Sequence, residues 1–237
     1  MKQTLRIWIT GASSGIGEAA AEALAHAGHK VFVSARNAQK LEALCARNPE
    51  RMAHASCDVT DAKSVTQAFE TVTARWGGID VLIPNAGIGY FDPLQEASLH
   101  EWHAMVNVNV TGVLNTLHAA LSSLIENKGH VINVGSLASR QVFPNSGVYC
   151  ATKHAVLAIS ESLRTEFRES LAVTTINPGA VNTPFIDRTT NESLRTSYRP
   201  QFDEGMAPEY VAEAILFAVE SRGRGVVSEL TIRPDRR

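Results

Sequence analysis

The chain has little that would staple, span or tether it. Its 237 residues include only three cysteines, Cys45, Cys57 and Cys150. That is an odd number without metal-ligand spacing, which argues against a disulfide framework and a thiolate zinc site. Reduced thiols in a cytoplasmic protein are the expectation. Cys150 abuts Tyr149, but no activating pattern surrounds it, so it reads as a small buried residue and not a nucleophile. No apolar run approaches the ~18 residues of a membrane span. MKQTLRIWIT runs straight into a strand-like stretch, without charged leader, apolar core and cleavage site. Low-complexity tracts and internal repeats are missing too. Formal net charge is −2, with acids and bases interspersed. There is thus no basic footprint for nucleic acid and no like-charge interaction tail. The eight histidines show no paired metal spacing, so no metal is expected, and His154 reads as a surface residue.

What is present is an alternation of strand and helix patterns. LRIWIT (5–10) is a short apolar run, followed by Gly-rich GASSGIG and Ala-rich EAAAEALAHAG. That reads strand, tight turn, helix, with Gly28 as the stop. KVFVSA (30–35) predicts a second strand, AQKLEALCAR an amphipathic helix, and RMAHASCDV a short third strand. Asp61 is placed to cap the next helix, which stops at Gly77-Gly78. Further strands are expected at 79–84, 130–135, 172–178 and 225–232. Helices are expected at about 98–126 (bent near Gly112), from 148 onward, and over PEYVAEAILFAVES. Residues 179–207 lack clear periodicity. Such alternation predicts one α/β domain over 1–237, a doubly wound parallel sheet of seven strands in the order 3-2-1-4-5-6-7 with helices on both faces. Ligand then binds beyond the carboxyl ends of the strands, where the winding reverses.

Two motifs sit at such ends. Thr10-Gly11-Ala12-Ser13-Ser14-Gly15-Ile16-Gly17 follows the first strand and opens the first helix. Its glycines allow a sharp turn and close approach of a pyrophosphate, and the helix N-terminus adds partial positive charge. At the end of the second strand, an acid would bind a ribose 2′-hydroxyl and repel a 2′-phosphate. Here Ala35 stands there, followed by Arg36, a guanidinium that suits phosphate. Ser13 and Ser14 are available to the same phosphate. The expectation is NADP(H) over NAD(H). The second motif is Tyr149 and Lys153, four apart and on one face if the segment is helical. A fixed positive charge favours phenolate. Lowering a phenol by two or three units from ~10 needs roughly 3–4 kcal/mol, at about 1.36 per unit. Taken alone, this spacing also arises by chance on many helices.

Taken together, TGASSGIG (10–17), CDV (57–59), NAG (85–87), VNVTG (108–112), GSLAS (135–139), YCATK (149–153) and NPGAVNT (177–183) resemble the short-chain dehydrogenase/reductase family, over essentially the whole chain. The resemblance implies a Rossmann-type domain that moves a hydride between a nicotinamide and a carbonyl or secondary alcohol. It makes Tyr149 the general acid in reduction and the base in oxidation. Lys153 lowers the tyrosine pKa and holds the nicotinamide ribose, and Ser136 hydrogen-bonds the substrate oxygen. Asn109, rather than nearby Asn107, helps hold a water in a proton relay. Asp58 is implied as the adenine-contacting acid, with Val59 packing nearby, and Asn85 as the residue that steadies the central strand beside the adenosine ribose. Val181 and Thr183 are implied near the nicotinamide end, and Gly11 to Gly17, Ala86, Gly87, Pro178 and Gly179 complete the cofactor contacts. Pro84 departs from the family's usual Asn-Asn-Ala-Gly and removes one backbone donor. Ser14 stands where many NADP-preferring members carry a basic residue.

Substrate specificity is expected in Ile88 to Phe91, in Leu137 to Ser146 and in 184–206, read as a mobile lid with an apolar inner side. Its Arg188, Arg195 and Arg199 are candidates to meet an acidic substrate, or simply solvated. In related proteins the helices near 98–126 and 148–169 pair across subunits, which implies a homodimer or homotetramer. A catalytically weak NADP(H)-binding sensor on the same fold is the competing class, since a fold alone does not choose. The intact Asn109, Ser136, Tyr149 and Lys153 set favours the enzyme.

Overall fold

The first strand shows why the sheet forms. In Arg6–Thr10 (β1) every residue after Arg6 is buried. Side chains alternate across a strand, so Ile7 and Ile9 enter one apolar core while Trp8 enters the other. A strand covered on both faces needs this continuous apolar run. The computed structural model describes residues 3–235. After β1 come Gly15–His26 (α1), Lys30–Ala35 (β2), Ala38–Ala46 (α2), Met52–Ser56 (β3), Ala62–Trp76 (α3) and Val81–Ile83 (β4). Leu99–Val106 (α4), Gly112–Glu126 (α5), His130–Val134 (β5), Gly147–Glu166 (α6) and Ala172–Pro178 (β6) follow. Glu192–Asp203 (α7), Pro208–Glu220 (α8) and Glu229–Ile232 (β7) close the order.

The seven strands form one parallel sheet in the order β3-β2-β1-β4-β5-β6-β7, as the alternation predicts. Side chains of α1, α2 and α8 fill the core on one face, and those of α3, α5 and α6 fill the other. Each fully buried Leu or Ile contributes roughly 1.5–3 kcal/mol. Asp61 does cap α3, accepting from the Lys63 amide at 2.9 Å. Gly77 ends that helix in the left-handed conformation, at φ 76°.

Three local differences from expectation have physical reasons. The fourth strand starts two residues later than expected, at Val81, and ends at Ile83, where Pro84 brings no amide to continue it. The helix expected over 98–126 is continuous over Leu99–Glu126, and its irregularity is a π turn at Asn107–Thr111, just before Gly112. Residues 179–207 are not featureless: Ile186–Arg188 makes a 3-10 turn and α7 follows. Asn191 caps α7 by accepting from the Leu194 amide. No α7 residue is fully buried, so its apolar signal is confined to Leu194, Tyr198 and Phe202 at four-residue steps. Leu99–Glu126, taken as one stretch, is long and apolar enough to cross a bilayer by length and composition. Here Val113, Leu117, Ala120 and Leu124 of that stretch pack on the sheet.

Candidate active site

The winding reverses between β1 and β4, and the large cleft of the protein lies beyond the carboxyl ends there, about 1010 Å³ in volume. The loop after β1 supplies Gly11, Ser13, Ser14, Gly15 and Ile16 to its wall. Gly11 has φ +69°, and a Cβ on it would lie 2.6 Å from Ala86 Cα, so only glycine takes this turn. Gly17 does not line the cleft. It lies beneath the Asn85 side chain, where a Cβ would come within 2.4 Å of Asn85 Nδ2. That amide donates to the carbonyls of Thr10 (2.9 Å) and Gly11 (3.2 Å). The amides of Asn85 and Ala86 both donate to Thr10 Oγ1. Asn85 therefore ties the turn to the end of β4. Ser14 is the N-cap of α1 yet makes no capping hydrogen bond, which leaves its hydroxyl unspent at a helix N-terminus.

Asp58, Val59, Asn85, Ala86 and Gly87 continue the same wall, as do Pro178, Gly179, Val181 and Thr183. Asp58 Oδ1 already accepts from the amide and hydroxyl of Thr60. Val59 packs on Gly112. Arg36 is exposed beside the cleft and makes no ion pair among the described residues. Lys40, one turn into α2, lines the same corner. Asp58 is the only carboxylate among the lining residues, against Arg36, Lys40, Lys153 and Arg188. Unspent donors, a glycine cradle and this charge balance fit a nicotinamide dinucleotide, with its pyrophosphate at the α1 N-terminus. Among the described residues no three His, Cys, Asp or Glu side chains cluster as metal ligands.

At the other end, β5 runs into Ser136, and α6 presents Tyr149 and Lys153 from its first turns. All three line the cleft. Ser136 is held tightly: its hydroxyl accepts from the Ala138 amide, and its amide donates to Ser139 Oγ (3.1 Å) and Asn177 Oδ1 (3.2 Å). Buried Asn177 in turn donates from Nδ2 to Glu229 Oε1 at 2.8 Å, and Arg140 pairs with both Glu229 oxygens. Burial pushes the Tyr149 phenol up to about 12, against the pull of the nearby Ser136 hydroxyl. Lys153 is also buried, which lowers its ammonium to about 8, and Nζ donates to the Val134 carbonyl at 2.9 Å. The expected lowering of the phenol by Lys153 does not prevail here. Desolvation dominates, and the ammonium, 5.9 Å from the Tyr149 ring centroid, is engaged elsewhere. Asn109 does not reach the cleft. Its side chain closes a ring with Ile88 N–H and carbonyl, both at 2.8 Å, and donates to Thr152 Oγ1 at 3.0 Å. The Thr152 hydroxyl donates to the Tyr149 carbonyl. Asn107, the neighbour set aside in the sequence, lines the cleft instead.

A family model described as short chain dehydrogenase matches residues 6–193. This chain belongs to the short-chain dehydrogenase family. An uncharacterized oxidoreductase of Staphylococcus saprophyticus is 37% identical over 235 residues, covering 95% of this dehydrogenase and 94% of the relative. The alcohol dehydrogenase from the archaeon Thermococcus sibiricus, complexed with 5-hydroxy-NADP, superposes with TM-score 0.88 at 33% identity, covering 99% and 98% of the two chains. The 3-ketoacyl-(acyl-carrier-protein) reductase from Brucella melitensis, complexed with NADH, gives 0.89 at 26% identity, covering 100% and 99%. This chain is thus an oxidoreductase of that family, whose structural relatives include one complexed with 5-hydroxy-NADP and one with NADH.

Two groups escaped the sequence reading. Lys40 was visible as a cation four positions beyond Arg36 but was absorbed into the helix pattern. The Asn177–Glu229–Arg140 strut joins positions far apart in the chain, and no local spacing announces it.

Proposed function

We propose that this dehydrogenase transfers a hydride between NADP(H) and a carbonyl or secondary alcohol, with Tyr149 as general acid and base. The observation that carries the reading is that Ser136, Tyr149 and Lys153 line one cleft with the Gly-rich loop. Bound there, a nicotinamide supplies or accepts the hydride. Ser136 holds the substrate oxygen as charge develops on it. Tyr149 gives that oxygen a proton in reduction and takes one in oxidation. Lys153 supplies the positive charge that the developing tyrosinate needs. Asn109 is a positioning residue, acting through Thr152 and the Ile88 backbone. Arg36 and Lys40 hold the 2′-phosphate, and residues 184–206 form the substrate lid. Tyr149→Phe should cut kcat by about 10²–10⁴-fold while NADPH affinity, read by fluorescence titration, stays unchanged. Retained turnover would remove Tyr149 from the reaction. A wild type that binds NADPH yet turns over no carbonyl or alcohol would favour the sensor reading.

We further propose a homodimer or homotetramer. Leu99, Val106 and Leu114 are exposed apolar side chains on α4 and α5, and a second copy of the chain would cover them. Sedimentation at micromolar concentration reporting a monomer would overturn this.

A further inference from the structure

We propose that the substrate end of the cleft takes a flat apolar ring with the carbonyl beside it, an aryl ketone or aryl aldehyde. The inference rests on the oxidoreductase reading above and names its substrate class. Tyr149 is one of five rings linked by contacts. Its centroid lies 5.4 Å from Phe185 and 6.2 Å from Phe91. Phe91 meets Tyr198 at 5.2 Å and Phe202 at 6.1 Å, and Phe185 meets Phe202 at 6.0 Å. The rings come from the loop after β4, from α6, from the segment after β6 and from α7. A chain that is only 6% aromatic concentrates five rings here. None of them belongs to either hydrophobic core of the sheet, all are half-buried, and all line the cleft. The fold does not use them as filling, so their faces are there for something that enters.

The chemistry of the wall narrows what enters. Leu137, Pro144 and Pro184 extend it, and the sole lining carboxylate, Asp58, sits at the dinucleotide end after β3. The ring faces themselves offer the hydroxyls of a sugar no partners, although Ser146, Gln201, His100 and His103 also line the cleft. Of the segment's arginines, Arg195 pairs with Glu192 and Arg199 with Asp187, and neither lines the cleft. Arg188, exposed, is the cation of this segment that lines the cleft. The ring pairs are tilted or edge-on, with interplanar angles from 33° to 73°. A planar ring inserted among them meets both edges and faces, the arrangement its quadrupole favours. Its carbonyl oxygen then faces the Ser136 and Tyr149 hydroxyls. In reduction the carbonyl carbon gains a hydride from the reduced nicotinamide and the oxygen gains the Tyr149 proton. The products are a benzylic alcohol, the oxidised nicotinamide and a tyrosinate that solvent reprotonates.

The test compares acetophenone, cyclohexyl methyl ketone, glucose and serine as substrates, each assayed with NADPH or NADP⁺ in its reacting direction. Acetophenone should exceed its cyclohexyl counterpart by about fivefold in kcat/KM, the size of an aromatic contact beyond area. Glucose and serine should fall about a hundredfold or more below acetophenone. Phe91→Leu and Phe202→Leu, which keep bulk and remove the ring, should erase most of the aryl preference without changing NADPH affinity. Calorimetric titration of both ketones into NADPH-saturated Tyr149→Phe reads binding apart from turnover. Equal binding of the two ketones, or equal turnover of glucose or serine, overturns this proposal. Preferential aryl binding with no turnover of any compound by the wild type upholds it and overturns the proposed hydride transfer instead.

Discussion

The Lys153 ammonium donates to the Val134 carbonyl at 2.9 Å, so the cation of the Tyr-x-x-x-Lys pair is anchored to β5 and not to the phenol. Its burial sets its folded value at about 8, below the ordinary 10.5, whereas Tyr149 stands at about 12. Lys153 thus carries its charge below about pH 8 and loses it above. The kcat/KM for carbonyl reduction should be flat through neutral pH and fall above about 8. Lys153→Arg, which stays cationic, should move that limb upward even if the rate drops. A limb that begins only near pH 10 or higher, and ignores Lys153→Arg, would assign it to another group.

Asn177 links the Ser136 amide to Glu229, and its two ends are not interchangeable. Asn177→Asp sets a carboxylate against Glu229 and should lower kcat by about 10-fold or more, through like-charge repulsion at hydrogen-bond distance. Adding Glu229→Gln restores a donor facing an acceptor and should recover most of the rate. NADPH affinity should hold throughout, because Asn177 does not line the cleft. A double variant no better than the single would mean the strut does not position Ser136.

Arg36 and Lys40 flank the corner where no acid stands. Arg36→Ala should weaken NADPH by about 10–100-fold, the worth of charge-assisted hydrogen bonds, and NADH far less. Lys40→Ala should move the same way by a smaller factor. Equal losses for both dinucleotides, measured by fluorescence titration, would undo the cofactor assignment.

His130 lies wholly inside the sheet, Nε2 bonded to Thr174 Oγ1 at 2.8 Å. Burial first, and the Arg222 charge second, lower it from 6.5 to about 4. The folded protein then binds fewer protons than the unfolded chain between those values. Its contribution is complete above about pH 6.5 and is lost as pH falls toward 4. Urea midpoints should decline over that window, and His130→Gln should flatten the decline. An unchanged slope would point to carboxylates instead.

Much of this was legible in the sequence because strand runs, glycine turns and caps act locally. LRIWIT, Asp61 and Gly77 each do what their immediate neighbours dictate, and the strand order follows from alternation and crossover handedness. Most of the named cofactor residues line the cleft because their motifs sit at strand ends. What stayed hidden depends on tertiary surroundings. Desolvation of Tyr149 is set by Phe91 and Phe185, distant in sequence. Gly17 was read as a cofactor contact because it lies within a motif, yet it lies beneath Asn85 and supports the turn. α7 was missed because Tyr198 and Phe202 face a cleft, not a core, and Pro200 mimics a break.

β7 is the last strand of the sheet in chain order, and it delivers Glu229, the anchor of the Asn177 strut. During translation the loop, the phenol and the ammonium all leave the ribosome before that anchor does. A nascent chain therefore holds Ser136 by fewer ties than the finished one, and synthesis itself withholds the final alignment of Ser136 until the edge of the sheet is laid down.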